Sequence, residues 1–252
     1  MKLWMTLLLL AGLAWVPGRA QTKELTVAAA ADLQPVMPAF AAAYEKKTGV
    51  KLKVSFGSSS VLATQILNGA PFDVFLAADF SFPEKVVAAG LAVEPEAVPY
   101  ARGTLVLWAR KDSPLQPLNM ELLTDPRLTR VAVGDEFHAP FGAAAYAAMR
   151  WMKTFDTIKP KLVVAENIAQ AAQFVVSGNA QVGFISLTSA ESPQMKEMGV
   201  YARVPEIYPP IRQCGVVMKK SPNVEEAKAF LAWMTSPEVQ GHMKEFGLTA
   251  VE

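Results

Sequence analysis

Short apolar runs and segments of helical period follow one another along most of the chain, and that alternation leaves few options beyond a layered α/β fold. Leu25 to Ala30 is a short apolar run. Met37, Phe40, Ala41 and Tyr44 then repeat at i, i+3, i+4 and i+7, and Gly49 closes that helix. Val50 to Phe56 alternates as a strand does, Ser58-Ser59-Ser60 opens a second helix ending near Asn68-Gly69, and Val74 to Ala77 reads as a buried strand before a helix around Pro83 to Ala89. Further strands are expected at 104–109, 131–133, 162–165, 182–186 and 215–218. Helix faces recur at Ala144, Ala147, Ala148 and Trp151, at Ile168, Ala171, Ala172 and Val175, and at Val224, Ala227, Leu231 and Met234, with a last helix from Pro237 to Gly247. The order predicts an α/β protein with largely parallel sheets. The proline-rich stretches at Val98-Pro99 and Pro205 to Pro210 are the expected crossings between two lobes, each lobe then being built from discontinuous chain.

The first residues read as an address. Lys2 precedes an apolar run from Leu3 to Val16, and Pro17-Gly18-Arg19-Ala20 places small residues before a cut, so residues 1–20 are expected to be a cleaved signal peptide. The run is shorter than the about 20 apolar residues that span a bilayer. No cysteine sits near the cut to carry a lipid, so the mature protein is expected to be soluble in a bacterial periplasm. The 252 residues are 52% apolar and 19% charged, enough for a substantial core. Lys and Arg number 24 against 23 Asp and Glu, a formal charge of +1, and loss of Lys2 and Arg19 with the leader tips the balance to slightly acidic. No charge block rises above this balance, which argues against nucleic acid or a polybasic membrane surface as partner. A single cysteine, Cys214, forms no intramolecular disulfide, and His138 and His242 are few for a metal centre.

Chemistry is expected at the strand-to-helix junctions. Four of them carry small or polar residues: Ala31-Asp32-Leu33, Gly57-Ser58-Ser59-Ser60, Pro140-Phe141-Gly142 and Glu166-Asn167-Ile168. In open α/β sheets ligands lie beyond the carboxyl ends of the strands. Helix N-termini there present free N–H groups and about +0.5 charge each, which suits an anion. Any one junction is explained by ordinary capping; several converging on one cleft make a site.

Three fragments, Val27-Ala28-Ala29-Ala30-Ala31-Asp32-Leu33, Phe56-Gly57-Ser58-Ser59-Ser60 and the run from Gln65 to Asp79, resemble the periplasmic molybdate-binding proteins of ABC transporters. Val133 to Gly142, Pro160-Lys161-Leu162 through Glu166-Asn167-Ile168, and Glu245-Phe246-Gly247 continue the resemblance in order over the mature chain. It implies a two-lobed periplasmic binding protein fold, each lobe a mostly parallel sheet flanked by helices, with the ligand in the cleft between them. Lobe 1 is expected to comprise 21–102 plus 213–252, and lobe 2 to comprise 103–212. The ligand implied is molybdate, or tungstate, so molybdenum arrives as an oxyanion, with no side chain ligating a metal cation directly and no cofactor. The other partner implied is the membrane permease of an ABC transporter, and the protein is expected to be a monomer without enzymatic activity.

By the family pattern the oxyanion contacts fall on Asp32, Ser59, Phe141, Ile168 and Ser186. Ser59 matches the family serine and is expected to offer its hydroxyl and N–H, while Phe141 and Ile168 act through main-chain N–H. Two positions depart: Asp32 stands where the family often has serine, and Ser186 where it has tyrosine, with a shorter reach. An ionised carboxylate about 4 Å from a dianion costs roughly 8 kcal/mol at an effective dielectric near 20. Asp32 is therefore expected to turn inward and cap the helix starting at Leu33; the alternatives are a proton shared with the ligand, or a different solute.

Three other functions are weighed against this. Ser58 to Ser60 with His138 or His242 as base and Asp135 as orienter is a conceivable serine hydrolase, but the chain has no Gly-x-Ser-x-Gly elbow, no Walker loop and no His-Glu-x-x-His. The same fold with sulfate, phosphate or a small organic anion is a second alternative, and a scaffold or sensor a third. His138 is expected to serve its loop, Cys214 to be buried, and Tyr201, Tyr208 and Trp233 to pack.

Overall fold

The computed structural model describes residues 23–251; the expected signal peptide at 1–20 lies outside them. The chain builds most of one sheet, leaves it for a second, and returns to complete the first. The opening part runs β1 (Glu24–Ala30), a 3-10 turn (Ala31–Leu33), α1 (Met37–Thr48), β2 (Lys51–Gly57), α2 (Ser59–Leu67), β3 (Val74–Ala77), α3 (Ser81–Ala88) and β4 (Val98–Gly103). Next come β5 (Leu105–Arg110), β6 (Val131–Gly134), α4 (Pro140–Trp151), α5 (Phe155–Ile158), β7 (Leu162–Ala165), α6 (Ile168–Val176), β8 (Val182–Ser186), α7 (Leu187–Ala190), α8 (Pro193–Met198) and β9 (Gly199–Arg203). Finally β10 (Ile211–Val217) returns, followed by α9 (Val224–Met234) and α10 (Pro237–Gln240).

The first sheet has the order β2-β1-β3-β10-β4 and the second β7-β6-β8-β5-β9. In each sheet four strands run the same way and one opposes them: β10 is antiparallel to its neighbours β3 and β4, and β5 to its neighbours β8 and β9. Each sheet is thus mostly parallel, and the one reversed strand is the one by which the chain enters it from the other sheet. Val-Phe-Leu-Ala of β3 is buried throughout, as a strand covered on both faces must be. Edge strand β2 keeps Lys51 and Lys53 outside, a charge pattern that discourages edge-to-edge pairing.

Two strands depart from the sequence expectation. Val98-Pro99 lies inside β4 rather than in a crossing; β4 is an edge strand, and its partner β10 shifts register between Gln213 and Cys214, so the missing proline N–H is tolerated. The chain actually changes sheet just after Gly103, where a Cβ would stand 2.6 Å from Phe141 Cζ. The unforeseen β9 is the other edge strand, and its Gly199 gives room to Trp108, whose Cζ2 would lie 2.0 Å from an added Cβ.

Helices α1 and α9 cover one face of the first sheet with Phe40, Tyr44, Phe230 and Trp233, whose rings pack edge-on, tilted or stacked. One apolar cluster crosses between the sheets: Ala30, Ala31 and Ala78 from the first pack with Leu105, Phe141 and Ile168 from the second. The small side chains at the ends of β1 and β3 let the two sets of strand ends approach closely.

Candidate functional site

Beyond the ends of β1, β2, β3, β6 and β7 lies a small cavity walled by Ala30, Asp32, Ser59, Ala78, Phe141 and Ile168 with their chain neighbours. Its volume is about 10 Å³, far below the roughly 300–1,000 Å³ of pockets for drug-sized organic ligands. A small ion suits it better than an organic solute.

The start of α2 forms one wall. Ser58, extended at φ −68° and ψ 146°, is the N-cap, and its Oγ accepts from Val61 N. The following residue, Ser59, is 1% exposed, and its Oγ accepts the N–H of Ala78 at 3.0 Å. That bond fixes the Ser59 rotamer through a lone pair and leaves its hydroxyl proton available to a ligand. Of the three consecutive serines, Ser58 is the cap, and Ser59 is turned toward β3.

Two more helix starts face the first. Helix α4 begins with Pro140, and Ala139 before it offers no side-chain cap. The N–H groups of the first turn, Phe141 among them, have no intrahelical acceptor. Helix α6 is capped by Asn167, which accepts from Gln170 N at 3.0 Å, while Gln170 Oε1 accepts the Glu166 N–H at 2.7 Å. This reciprocal pair satisfies donors outside the cavity and leaves the Ile168 N–H at its wall. The two sides meet directly, since Ser60 N donates to the carbonyl of His138 at 3.4 Å.

Asp32 sits in the 3-10 turn that follows β1 and is fully buried. Its expected capping role is not found: the turn begins at Ala31, two residues before the expected start, Ala30 is the N-cap, and no side-chain cap bond is made. The carboxyl group instead receives Gln213 Nε2 from β10. Burial pushes the Asp32 carboxyl up to about 7, only partly opposed by the Gln213 hydrogen bond. Thr188 Oγ1 donates to the Asp32 carbonyl at 2.6 Å and lies 2.8 Å from Ser186 Oγ. Ser186 is buried and caps α7, its Oγ accepting from Ser189 N and lying 2.9 Å from Ser189 Oγ.

The structure therefore brings Asp32, Ser59, Phe141 and Ile168 to one cavity and leaves Ser186 outside its walls, behind the Asp32 turn. Ala78, Thr188 and Gln213 enter as supporting residues the sequence did not single out. Gln213 carried a signal, being the lone amide of its strand, directly before the run Cys214–Val217. Among the described residues no lysine, arginine or histidine lines the cavity, and Asp32 is its one ionisable residue. Three helix N-termini and a serine hydroxyl on the cavity walls are groups suited to a compact anion.

The hydrolase alternative finds no geometry. His138 Nδ1 is 2.9 Å from Asp135 Oδ1, but among the described residues no hydrogen bond joins an imidazole to Ser58, Ser59 or Ser60. His242 instead pairs with Glu245. Cys214 is buried, which holds its thiol up at about 11.

A family model of bacterial extracellular solute-binding proteins matches residues 25–249. The molybdate-binding protein ModA of Rhodobacter capsulatus is 38% identical over 229 residues, covering 90% of this chain and 89% of that protein. The molybdate-binding protein ModA of Escherichia coli is 31% identical over 259 residues, covering 98% of each. Among solved structures, the Azotobacter vinelandii periplasmic molybdate-binding protein superposes with a TM-score of 0.85 at 29% identity, covering 90% of this chain and 100% of that one.

Proposed function

The chain belongs to the bacterial extracellular solute-binding protein family, and from that membership we propose that it captures molybdate, or tungstate, and delivers it to the membrane permease of an ABC transporter. The observation that carries this reading is the convergence of the starts of α2, α4 and α6 on a small cavity without a cationic side chain. Ser59 donates its hydroxyl, and the main-chain N–H groups of Ser59, Phe141 and Ile168 complete the contacts. The Asp32 turn closes the remaining side, and Ser186 acts indirectly, by holding Thr188 against that turn. Charge-assisted hydrogen bonds worth roughly 1.5–3 kcal/mol each, less the cost of stripping water from the ion, are sufficient for about −8 kcal/mol, a micromolar or tighter complex. Capture requires no bond to be made or broken, so the protein acts as a monomeric periplasmic receptor rather than as an enzyme.

The test is thermal melting with molybdate, tungstate, sulfate and phosphate, since stabilisation follows occupancy of the folded state. Molybdate and tungstate raise the melting temperature most; preferential stabilisation by sulfate or phosphate would assign another cargo. In Ser59→Ala, titration calorimetry should find the anion held about 1–3 kcal/mol less tightly, because one anion-facing donor is lost. Stability should fall by roughly 1 kcal/mol as the Ala78 N–H loses its acceptor. Wild-type affinity in the folded variant would remove Ser59 from the site.

The same reading takes 21–102 with 213–252 as one lobe and 103–212 as the other, hinged where the chain passes between the sheets. Its support is that the proposed contacts come from both sheets, so the cavity is complete only when they approach. Small-angle scattering should record a smaller radius with saturating molybdate than without; identical profiles would contradict a hinge.

A further inference from the structure

Asp32 is wholly buried, and no ion pair reaches it among the described residues. Gln213 Nε2 donates to Asp32 Oδ2. The remaining oxygen of each group, Asp32 Oδ1 and Gln213 Oε1, is buried without a partner. Two bare acceptors on a pair already joined by one hydrogen bond is a costly arrangement. A single proton removes both deficits: bound to Oδ1, it is donated to Gln213 Oε1 while the amide N–H serves Oδ2. We propose that Asp32 is a positioning residue held as the neutral acid, its proton closing a two-hydrogen-bond ring with the Gln213 amide that braces the anion-binding turn against β10. Resting on the oxyanion reading, this explains how a carboxyl group is tolerated beside a dianion.

The surroundings favour the neutral form. From β4, Tyr100 lies in the field of Asp32, Cys214 and Asp79, and its hydroxyl donates to the Ala77 carbonyl at 3.0 Å. From α7 the neutral Thr188 donates to the Asp32 main chain, and from β10 Gln213 donates to its carboxyl group. The charges these groups can carry are all negative, and burial holds the acid protonated up to about 7. The ring ties the Asp32 turn to the strand paired with β4 just before the chain changes sheet, so the proton braces the site and removes a charge from it.

The folded protein keeps this proton to higher pH than the unfolded chain does, so stability is greatest where the proton is bound. It is lost as pH rises from about 4 to about 7. Carbon-13 NMR of the ligand-free protein should find the Asp32 carboxyl titrating near 7. In melting curves the wild type should lose stability across that window, whereas Asp32→Asn, whose amide closes the same ring at any pH, should lack the decline and melt higher than wild type at alkaline pH. Molybdate titrations should weaken about tenfold per pH unit above the transition in wild type, and the variant should lose this dependence. An Asp32 carboxyl titrating near its ordinary 3.8, or melting profiles that run parallel, would overturn the ring. Absence of molybdate binding at every pH would sink the oxyanion reading instead, and the carboxyl titration and melting curves would still decide the ring.

Discussion

Ser59→Asp should abolish oxyanion binding while leaving the protein folded. The new carboxylate would stand in the first turn of α2, where a negative charge is favourable by about 0.3–1 kcal/mol, and it can accept the Ala78 N–H that Ser59 Oγ now accepts. It would also fill a cavity of only about 10 Å³. A dianion about 4 Å away meets a repulsion of roughly 8 kcal/mol at an effective dielectric near 20, comparable with the whole binding energy of a micromolar complex. Calorimetry should record no binding heat at concentrations that saturate the wild type, while the ligand-free variant still melts cooperatively, at a temperature lowered by overpacking of about 1–3 kcal/mol. Retention of affinity within tenfold would place the anion away from α2.

The second large effect is expected at Gly142, where the constraint is backbone against backbone. A Cβ there would stand 2.2 Å from the Asp135 carbonyl oxygen and 2.5 Å from that of Gly134. Neither oxygen can retreat easily: Gly134 belongs to the β6–β7 ladder, and the Asp135 N–H is bound to the Ala165 carbonyl at 2.8 Å. In Gly142→Ala the start of α4 must therefore move outward, taking the Phe141 N–H from the cavity and its ring from Gly103. The cost is expected at the upper end of overpacking, about 3 kcal/mol. That lowers the melting temperature by roughly 6–12 °C for a chain of this size, and anion affinity should fall at least tenfold. A variant that melts and binds like the wild type would mean that α4 is free to shift without consequence for the site.

The sequence made the central elements legible because local and tertiary demands coincide there. Val74 to Ala77 is a continuous apolar run because β3 is covered on both faces, and Ile168, Ala171, Ala172 and Val175 mark α6 because that face is the buried one. Edge strands were harder: Val98-Pro99 in β4 reads as a crossing and β9 around Gly199 left no pattern, and only the sheet around them explains why these residues are tolerated there. In the site, Asn167 and Pro140 announced their helix starts through capping chemistry and fixed φ. Three consecutive serines did not reveal which one caps, since that depends on Ser59 Oγ accepting the N–H of Ala78, nineteen residues on. Asp32 was misread for the same reason. Local pattern suggested a cap, whereas its partner Gln213 lies 181 residues away on a strand that returns from the other sheet.

The central claim is that the ion is held by three helix starts and one serine, and crystals of the molybdate complex test it most directly through the anomalous signal of molybdenum. The predicted result is one strong peak in the cavity between the starts of α2, α4 and α6, with Ser59 Oγ and the N–H groups of Phe141 and Ile168 in hydrogen-bond reach of the ion's oxygens. A peak elsewhere on the molecule, or an ion in this cavity held by side-chain cations instead of these donors, would contradict the account.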